Sequence, residues 1–475
     1  MKNTKRRFET FSFFDHTGIS AHLEKMARNG WMIERITSFG WIYKKTEPKT
    51  VHFAVSYYPK ASEFDPEPSE DQKTFHEFCA HTGWELACIS AQMQIFYNEN
   101  ENPTPIETDP VLELDTIHAS VKKTMLPTYL LMLFLSIMNG VLFVGGLLND
   151  PLDLLSSPSR LFTGFAFVIL FLLCSVELIS YFIWYKKARL HAVQGEFLKV
   201  PNTSLFQKSV LIALVIALLY WGFNFIFGGD SLRRWIGILM CIYMPTLILI
   251  VNGTKNYLKK KKVSKRKNFW ITMLVDVVFA FSLMGIITFI VLSASSRGFF
   301  ADKEEETYEH GGMTWVIHRD ELPLTMEELA AASLGTIDIE FVNFESYIKE
   351  KRGDESLLLG KWTFRQCPRM DVEDHFALPQ LSYTVVHVKL SPLYNICKNY
   401  YLEDVKNTLT YAGRRYLKTD SDCWNTNEVY QLYDAEIGPL NCYLLCYDDI
   451  IVEIEFNWEV TEQQKVIVEE KLSTP

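Results

Sequence analysis

The middle of this chain is nearly empty of acid. Residues 121–297 hold 6 Asp and Glu against 19 Lys and Arg, whereas residues 1–120 hold 18 against 12 and residues 298–475 hold 33 against 16. The net charge of −10 therefore hides a basic central segment between two acidic ones. Acidic end domains disfavour nucleic-acid binding. Catalytic signatures are missing as well. No Gly-x-Ser-x-Gly and no HExxH occurs, and Gly353–Trp362 (GDESLLLGKW) lacks the Ser or Thr and the spacing of a phosphate loop. The histidines at 310, 318 and 387 are scattered, and the cluster Asp371, Glu373, Asp374, His375 lacks the ligand spacing of a zinc or calcium site, so it reads as a solvated turn. We expect neither an enzyme nor a cofactor.

Five long apolar runs fill the space that acid leaves: 126–148, 161–184, 206–228, 235–252 and 269–293. About 20 apolar residues at 1.5 Å each cross a ~30 Å hydrocarbon layer, so each run can span a bilayer. The first lies some 120 residues after Met1 and reads as an internal anchor, not a cleaved leader.

Positive charge orients the spans. The connection after the second run carries Lys186, Lys187, Arg189, Lys199 and Lys208, and the one after the fourth carries Lys255, Lys259, Lys260, Lys261, Lys262, Lys265, Arg266 and Lys267. The other two hold only Arg160, and Arg233 with Arg234. The expectation is a multi-pass cell-membrane protein with its N-terminus in the cytoplasm and its C-terminus outside. The run Lys259–Lys267 is expected to touch anionic lipid, at about 1 kcal/mol per basic residue near the surface. Only Glu177 and Asp276 place acid deep within a run. Such groups are costly in hydrocarbon unless paired, so they are candidates for helix pairing or for ion or proton coupling. No inverted repeat marks a transporter.

Residues 1–120 contain an internal repeat. Leu23–Lys44 and His76–Tyr97 align at an offset of 53, matching Gly30 with Gly83, Trp31 with Trp84, Ile36 with Ile89 and Tyr43 with Phe96. Each glycine falls where a helix end needs a left-handed residue. With alternating strands at Phe8–Phe14 and Val51–Tyr58, the order strand, helix, strand, strand, helix, strand predicts a ferredoxin-like βαββαβ domain. Two helices cover one face of such a sheet, leaving Phe11, Phe13, Phe39, Trp41 and Tyr43 on the other. That patch predicts a homodimer, a protein partner or a lid from the membrane segment, the plainer alternative being that residues 101–120 fold over it.

The segments FFDHTGISAHLEKMARNGWMIERI (13–36), EPKTVHFAVSYYPKASEFDP (47–66) and ENPTPIETDP (101–110) resemble the N-terminal module of the bacterial family catalogued as domain of unknown function 2812. The resemblance covers about a quarter of the chain. It implies a Gram-positive membrane protein with a cytosolic module ahead of several spans, often encoded near a PadR-like transcription regulator. It brings no catalytic residues.

Residues 298–475 predict an extracytoplasmic α+β domain. Glu428–Tyr433, Cys442–Tyr447 and Ile450–Trp458 read as an antiparallel meander, Leu402–Tyr416 as a helix, and Thr461 with Gln464 as the capping box of a last helix. Five of the nine cysteines fall in this domain, an odd number. Cys442 and Cys446 lie on one strand face, too far apart to bridge each other. The functional expectation is a non-enzymatic sensor or regulator linking an outer domain to a cytosolic one, with a transport or resistance accessory subunit as the alternative.

Overall fold

A computed structural model of the chain describes residues 3–37, 40–227, 231–296, 306–331, 343–407, 413–419 and 424–473. The chain divides into two compact units. One contains residues 1–140 and 165–297; the other contains residues 141–164 and 298–475.

In the first unit, strand β1 (Thr4–Arg7), helix α1 (His16–Arg28) and the hairpin β2 (Trp31–Thr37) and β3 (Gly40–Lys45) form the first repeat. Strand β4 (His52–Tyr57), helix α2 (Glu70–His81) and the hairpin β5 (Glu85–Ser90) and β6 (Met93–Asn98) form the second. The sheets run β1-β3-β2 and β4-β6-β5. This corrects the four-stranded ferredoxin-like expectation: the single strand expected after each helix is a hairpin. In the second repeat the reversal falls at Ala91, whose φ is +50°. Residues 8–14 also form no strand: Ser12 and Phe14 are buried, Phe11 and Phe13 are half-buried, and Phe8 is 71% exposed. Helix ends follow the sequence closely. Gly30 and Gly83 have φ of +76° and +86° just past α1 and α2, and Ser69 caps α2 by accepting from the Gln72 amide at 3.3 Å.

Helix α3 (Pro110–Ser120) continues through a π-type turn at Val121–Met125 into α4 (Leu126–Asn149). Then come α5 (Pro151–Ser156), α6 (Pro158–Val193), α7 (Ser204–Phe227), α8 (Ser231–Lys260) and α9 (Lys265–Ser296). Five helices among the described residues are long and apolar enough to cross a membrane, and they coincide with the five runs read from the sequence. Their outer surfaces carry bare apolar side chains such as Leu148, Leu205 and Phe281, each more than 70% exposed, a surface that water would penalise and lipid would not.

In the second unit, a seven-stranded antiparallel sheet runs β12-β13-β14-β15-β11-β10-β9. Its strands are β9 (Tyr347–Glu355), β10 (Leu359–Pro368), β11 (Leu381–Val388), β12 (Arg414–Thr419), β13 (Glu428–Asp434), β14 (Gly438–Cys446) and β15 (Ile450–Phe456). Ahead of them lie the hairpin β7 (Thr307–His310) and β8 (Met313–Val316) and the short helix α10 (Met326–Ala331). The meander β13-β14-β15 and the Thr461–Gln464 capping box of α12 (Glu462–Leu472) form as the sequence predicts. Of the expected helix 402–416, residues 402–407 are helical, 408–412 lie outside the described residues, and 414–416 are strand. Helix α11 occupies Tyr394–Asn407, and Tyr416 lies in β12, entered through Gly413 at φ +100°.

Strand alternation sorts the core into two layers. Tyr443, Leu445, Ile450, Val452, Ile454 and Phe456 face α10 and α12. Cys442, Leu444, Cys446, Ile451, Val386 and Val388 face α11 and α5. Thus α5, contributed by the connection between α4 and α6, completes the core of a domain about 200 residues downstream. Its sequence is built for a short helix: Asp150 accepts from the Asp153 amide at 3.1 Å with Pro151 at the first helical position, and Ser157-Pro158 then starts α6. Leu152 and Leu155 are almost fully buried, the Ser356 hydroxyl donates to the Leu155 carbonyl at 2.6 Å, and Lys361 Nζ meets Asp153 Oδ1 at 2.6 Å. The ion pair is partly exposed and contributes little; burying the leucines contributes about 1.5–3 kcal/mol each. Replacing Leu155 with alanine should destabilise the C-terminal unit by roughly 2–5 kcal/mol. Thermal unfolding in detergent would read this as a lower transition that Leu148→Ala, on an exposed surface, does not produce.

Candidate functional site at the seat of the N-terminal domain

The side chains of α6 that are buried recur at helical spacing: Cys174, Glu177, Leu178, Tyr181, Trp184, Ala188 and Ala192. This stripe receives Phe14, with Ser12 beside it. Phe14 is fully buried, with its ring 5.1 Å from Tyr181 and 5.4 Å from Trp184. Beside it, Ser12 Oγ lies 2.8 Å from Thr203 Oγ1, in the connection leading into α7. Gln207 Nε2 donates to Glu177 Oε1 at 2.6 Å and lies 3.0 Å from Ser12 Oγ and 3.2 Å from Thr203 Oγ1. The Thr203 hydroxyl also donates to Glu177 Oε1 at 3.3 Å. Glu177 is wholly buried, and its second oxygen, Oε2, has no hydrogen-bond partner. One carboxylate thereby ties α6 to α7 and, through Gln207, to Ser12.

Asp15 sits at the same junction. It is 3% exposed and caps α1 by accepting from the Gly18 amide at 2.8 Å. Burial pushes its carboxyl above the usual range; the Gly18 amide opposes this and the negative charge of Glu177 adds to it. Nearby, the Val200 amide donates to Thr17 Oγ1 at 3.2 Å, stitching the α6–α7 connection to the start of α1.

A second contact of the same unit uses opposite charges. Residues 59–68 meet the turn between α8 and α9, where Lys255 pairs with Glu63 at 2.8 Å, Lys262 with Glu67 at 2.7 Å and Lys265 with Asp65 at 3.7 Å. The Lys262 partner holds the Glu67 carboxyl below its usual range. At the centre, fully buried Asn268 donates to the Phe64 carbonyl at 3.1 Å, and Phe64 meets the Phe269 ring edge-on at 5.3 Å. Exposed ion pairs of this kind contribute under about 1 kcal/mol each, so the buried amide and ring carry most of the contact. Of the basic run expected to face lipid, Lys262 and Lys265 are engaged with the N-terminal domain, while Lys260, Lys261, Arg266 and Lys267 are exposed. Lys259 is half-buried.

The other sequence candidates fare differently. Trp41 and Tyr43 are buried, and Phe11 and Phe13 are half-buried against His22 and Trp41 and against Tyr57 respectively. Phe39 lies outside the described residues. The expected open aromatic face is therefore closed by the chain itself: Leu114, Ile117, Val121 and Met125, along α3 and the π-type turn, pack into the same core. Asp276 is half-buried on α9 and makes no hydrogen bond or ion pair among the described residues, unlike Glu177. Ser12, Asp15, Thr203 and Gln207 escaped the sequence reading because each is polar, isolated and distant from its partners in the chain.

The amide of Gln207 is the shorter of two donors to Glu177 Oε1, and a buried carboxylate that loses its shorter hydrogen bond is left with a desolvation cost that the longer Thr203 contact offsets only in part. Gln207→Leu should therefore destabilise the first unit by about 1.5–3 kcal/mol. Adding Glu177→Leu should recover most of that loss. A double-mutant cycle by chemical denaturation in detergent measures the coupling, and additive losses would remove the network.

No curated protein and no solved structure matches this chain. One family model does, over residues 16–129, covering α1 to the start of α4 with both hairpins and the α3 lid. Across that stretch the chain carries a domain of the family described as Protein of unknown function (DUF2812).

Proposed function

We propose that this chain is a non-enzymatic membrane relay, with its N-terminal domain in the cytoplasm and its C-terminal domain on the opposite side of the cell membrane. The observation that carries this reading is the way two domains grip one helical hairpin. The connection between α4 and α6 is built into the core of the C-terminal sheet. The other end of α6, with the α6–α7 and α8–α9 connections, is bound by the N-terminal domain. In a chain of five spans, the first connection and the second and fourth lie on alternate sides. The lysine-rich connections are those that bind the N-terminal domain, which supports their cytoplasmic placement.

Free thiols in an outer domain need an account, since oxidising compartments favour disulfides. Cys397, Cys442 and Cys446 are unpaired and buried. Burial pushes their thiols up to about 11, about 12 and about 11, which leaves little reactive thiolate. They serve as small core residues, compatible with either side. The accessory-transport alternative would use Glu177 and Asp276 together, but Glu177 is already held by Gln207 and Thr203, which favours assembly over transport.

Protease added to intact cells should remove the C-terminal domain and spare the N-terminal domain until the membrane is permeabilised. Digestion of both domains from the same side would contradict the reading.

A further inference from the structure

A cavity of about 410 Å³ opens between α1 and the start of α7, lined on the domain side by Arg7, Glu9, Asp15, His22 and Lys25 and on the helix side by Asn202, Ser204 and Lys208. Its charges sort themselves by partner. Glu9 is 5% exposed at its side chain; its Oε1 lies 3.0 Å from Arg7 Nε and 3.1 Å from His22 Nε2, within ion-pair reach but with no hydrogen bond formed. Asp15 is engaged with the α1 amide at Gly18. Lys25 and Lys208 are left, both exposed and neither in an ion pair among the described residues. With Arg7, Lys25 and Lys208 set against Glu9 and Asp15, the cavity keeps a net positive charge of about one unit. Its wall also contains Thr10 Oγ1, a buried hydroxyl without a hydrogen-bond partner.

Position decides what anion would come. Lys208 stands on the first turn of α7, next to Leu205, which is 78% exposed and begins the bare apolar surface of that helix. If that surface is in hydrocarbon, the cavity lies at headgroup level, where basic pockets beside spanning helices take anionic lipid headgroups. We propose that this cavity binds the phosphate ester of an anionic phospholipid, with Lys25 and Lys208 as its cationic contacts. The domain would then be seated partly on a lipid molecule, held between α1 and α7. The inference requires α7 to enter a bilayer, and it does not depend on the relay reading or on which side the domain faces.

The test uses the full chain in neutral detergent micelles, titrated with phosphatidylglycerol, phosphatidylcholine or glycerol 1-phosphate while thermal unfolding is followed. Phosphatidylglycerol should raise the unfolding temperature beyond the effect of phosphatidylcholine. Lys25→Gln with Lys208→Gln should weaken its apparent affinity roughly tenfold or more, while Lys186→Gln with Lys187→Gln, exposed on α6, should leave it unchanged. Equal responses to both lipids, or a phosphatidylglycerol response that survives the Lys25 and Lys208 changes, would overturn the site. Saturation by glycerol 1-phosphate alone would overturn the lipid assignment in favour of a free phosphate ester.

Discussion

Leu152 and Leu155, one turn apart on a six-residue helix, are buried under the C-terminal sheet, and a hydroxyl from Ser356 holds the backbone between them and α6. An isolated helix of this length would not be stable in water. It forms because Asp150 and Pro151 start it and because the sheet covers it. Separating the sheet from α5 would expose two leucines, at a cost of about 3–6 kcal/mol.

The opposite end of α6 is held by different means. Phe14, Tyr181 and Trp184 supply aromatic burial, and Glu177, Gln207, Thr203 and Ser12 supply a small polar network. Buried polar networks of this type specify an arrangement more than they stabilise it, since desolvation offsets most of their gain. The orphan oxygen of Glu177 fits that description. The clamp between residues 59–68 and the α8–α9 turn adds charge complementarity at a second point of contact. Apolar packing thus sets how strongly the domain is held, and the polar groups set where.

Much of this was legible in the sequence. The five helices long and apolar enough to cross a membrane follow from the length and apolarity of their sequence runs alone. Gly30, Gly83, Ser69 and the Thr461–Gln464 box marked helix ends correctly, because capping is local chemistry. Errors arose where local pattern and tertiary partner disagree. The alternation of Phe8–Phe14 imitates a strand, yet Phe14 packs on Tyr181 and Trp184 of α6, and Phe11 and Phe13 pack on the domain core. Residues 85–97 read as one strand because Ala91, which takes the left-handed turn, is not a residue that announces one. The apolar spacing that predicts a helix over 402–416 runs on into β12, whose residues 414–416 are strand. No property of PLDLLS alone could say that it belongs to a sheet 200 residues away. Likewise the lysines of the α8–α9 turn read from sequence as lipid contacts, although Lys262 and Lys265 meet acids of residues 59–68.

The central claim is that the α4–α5–α6 hairpin carries the state of one domain to the other. Hydrogen exchange on the full chain in a bilayer mimic tests it most directly, comparing the wild type with Leu152→Ala/Leu155→Ala. If the hairpin is the link, loosening α5 should speed amide exchange at residues 8–20 and 198–207 as well as in the C-terminal sheet. Faster exchange confined to the C-terminal sheet, with the N-terminal seat unchanged, would contradict it.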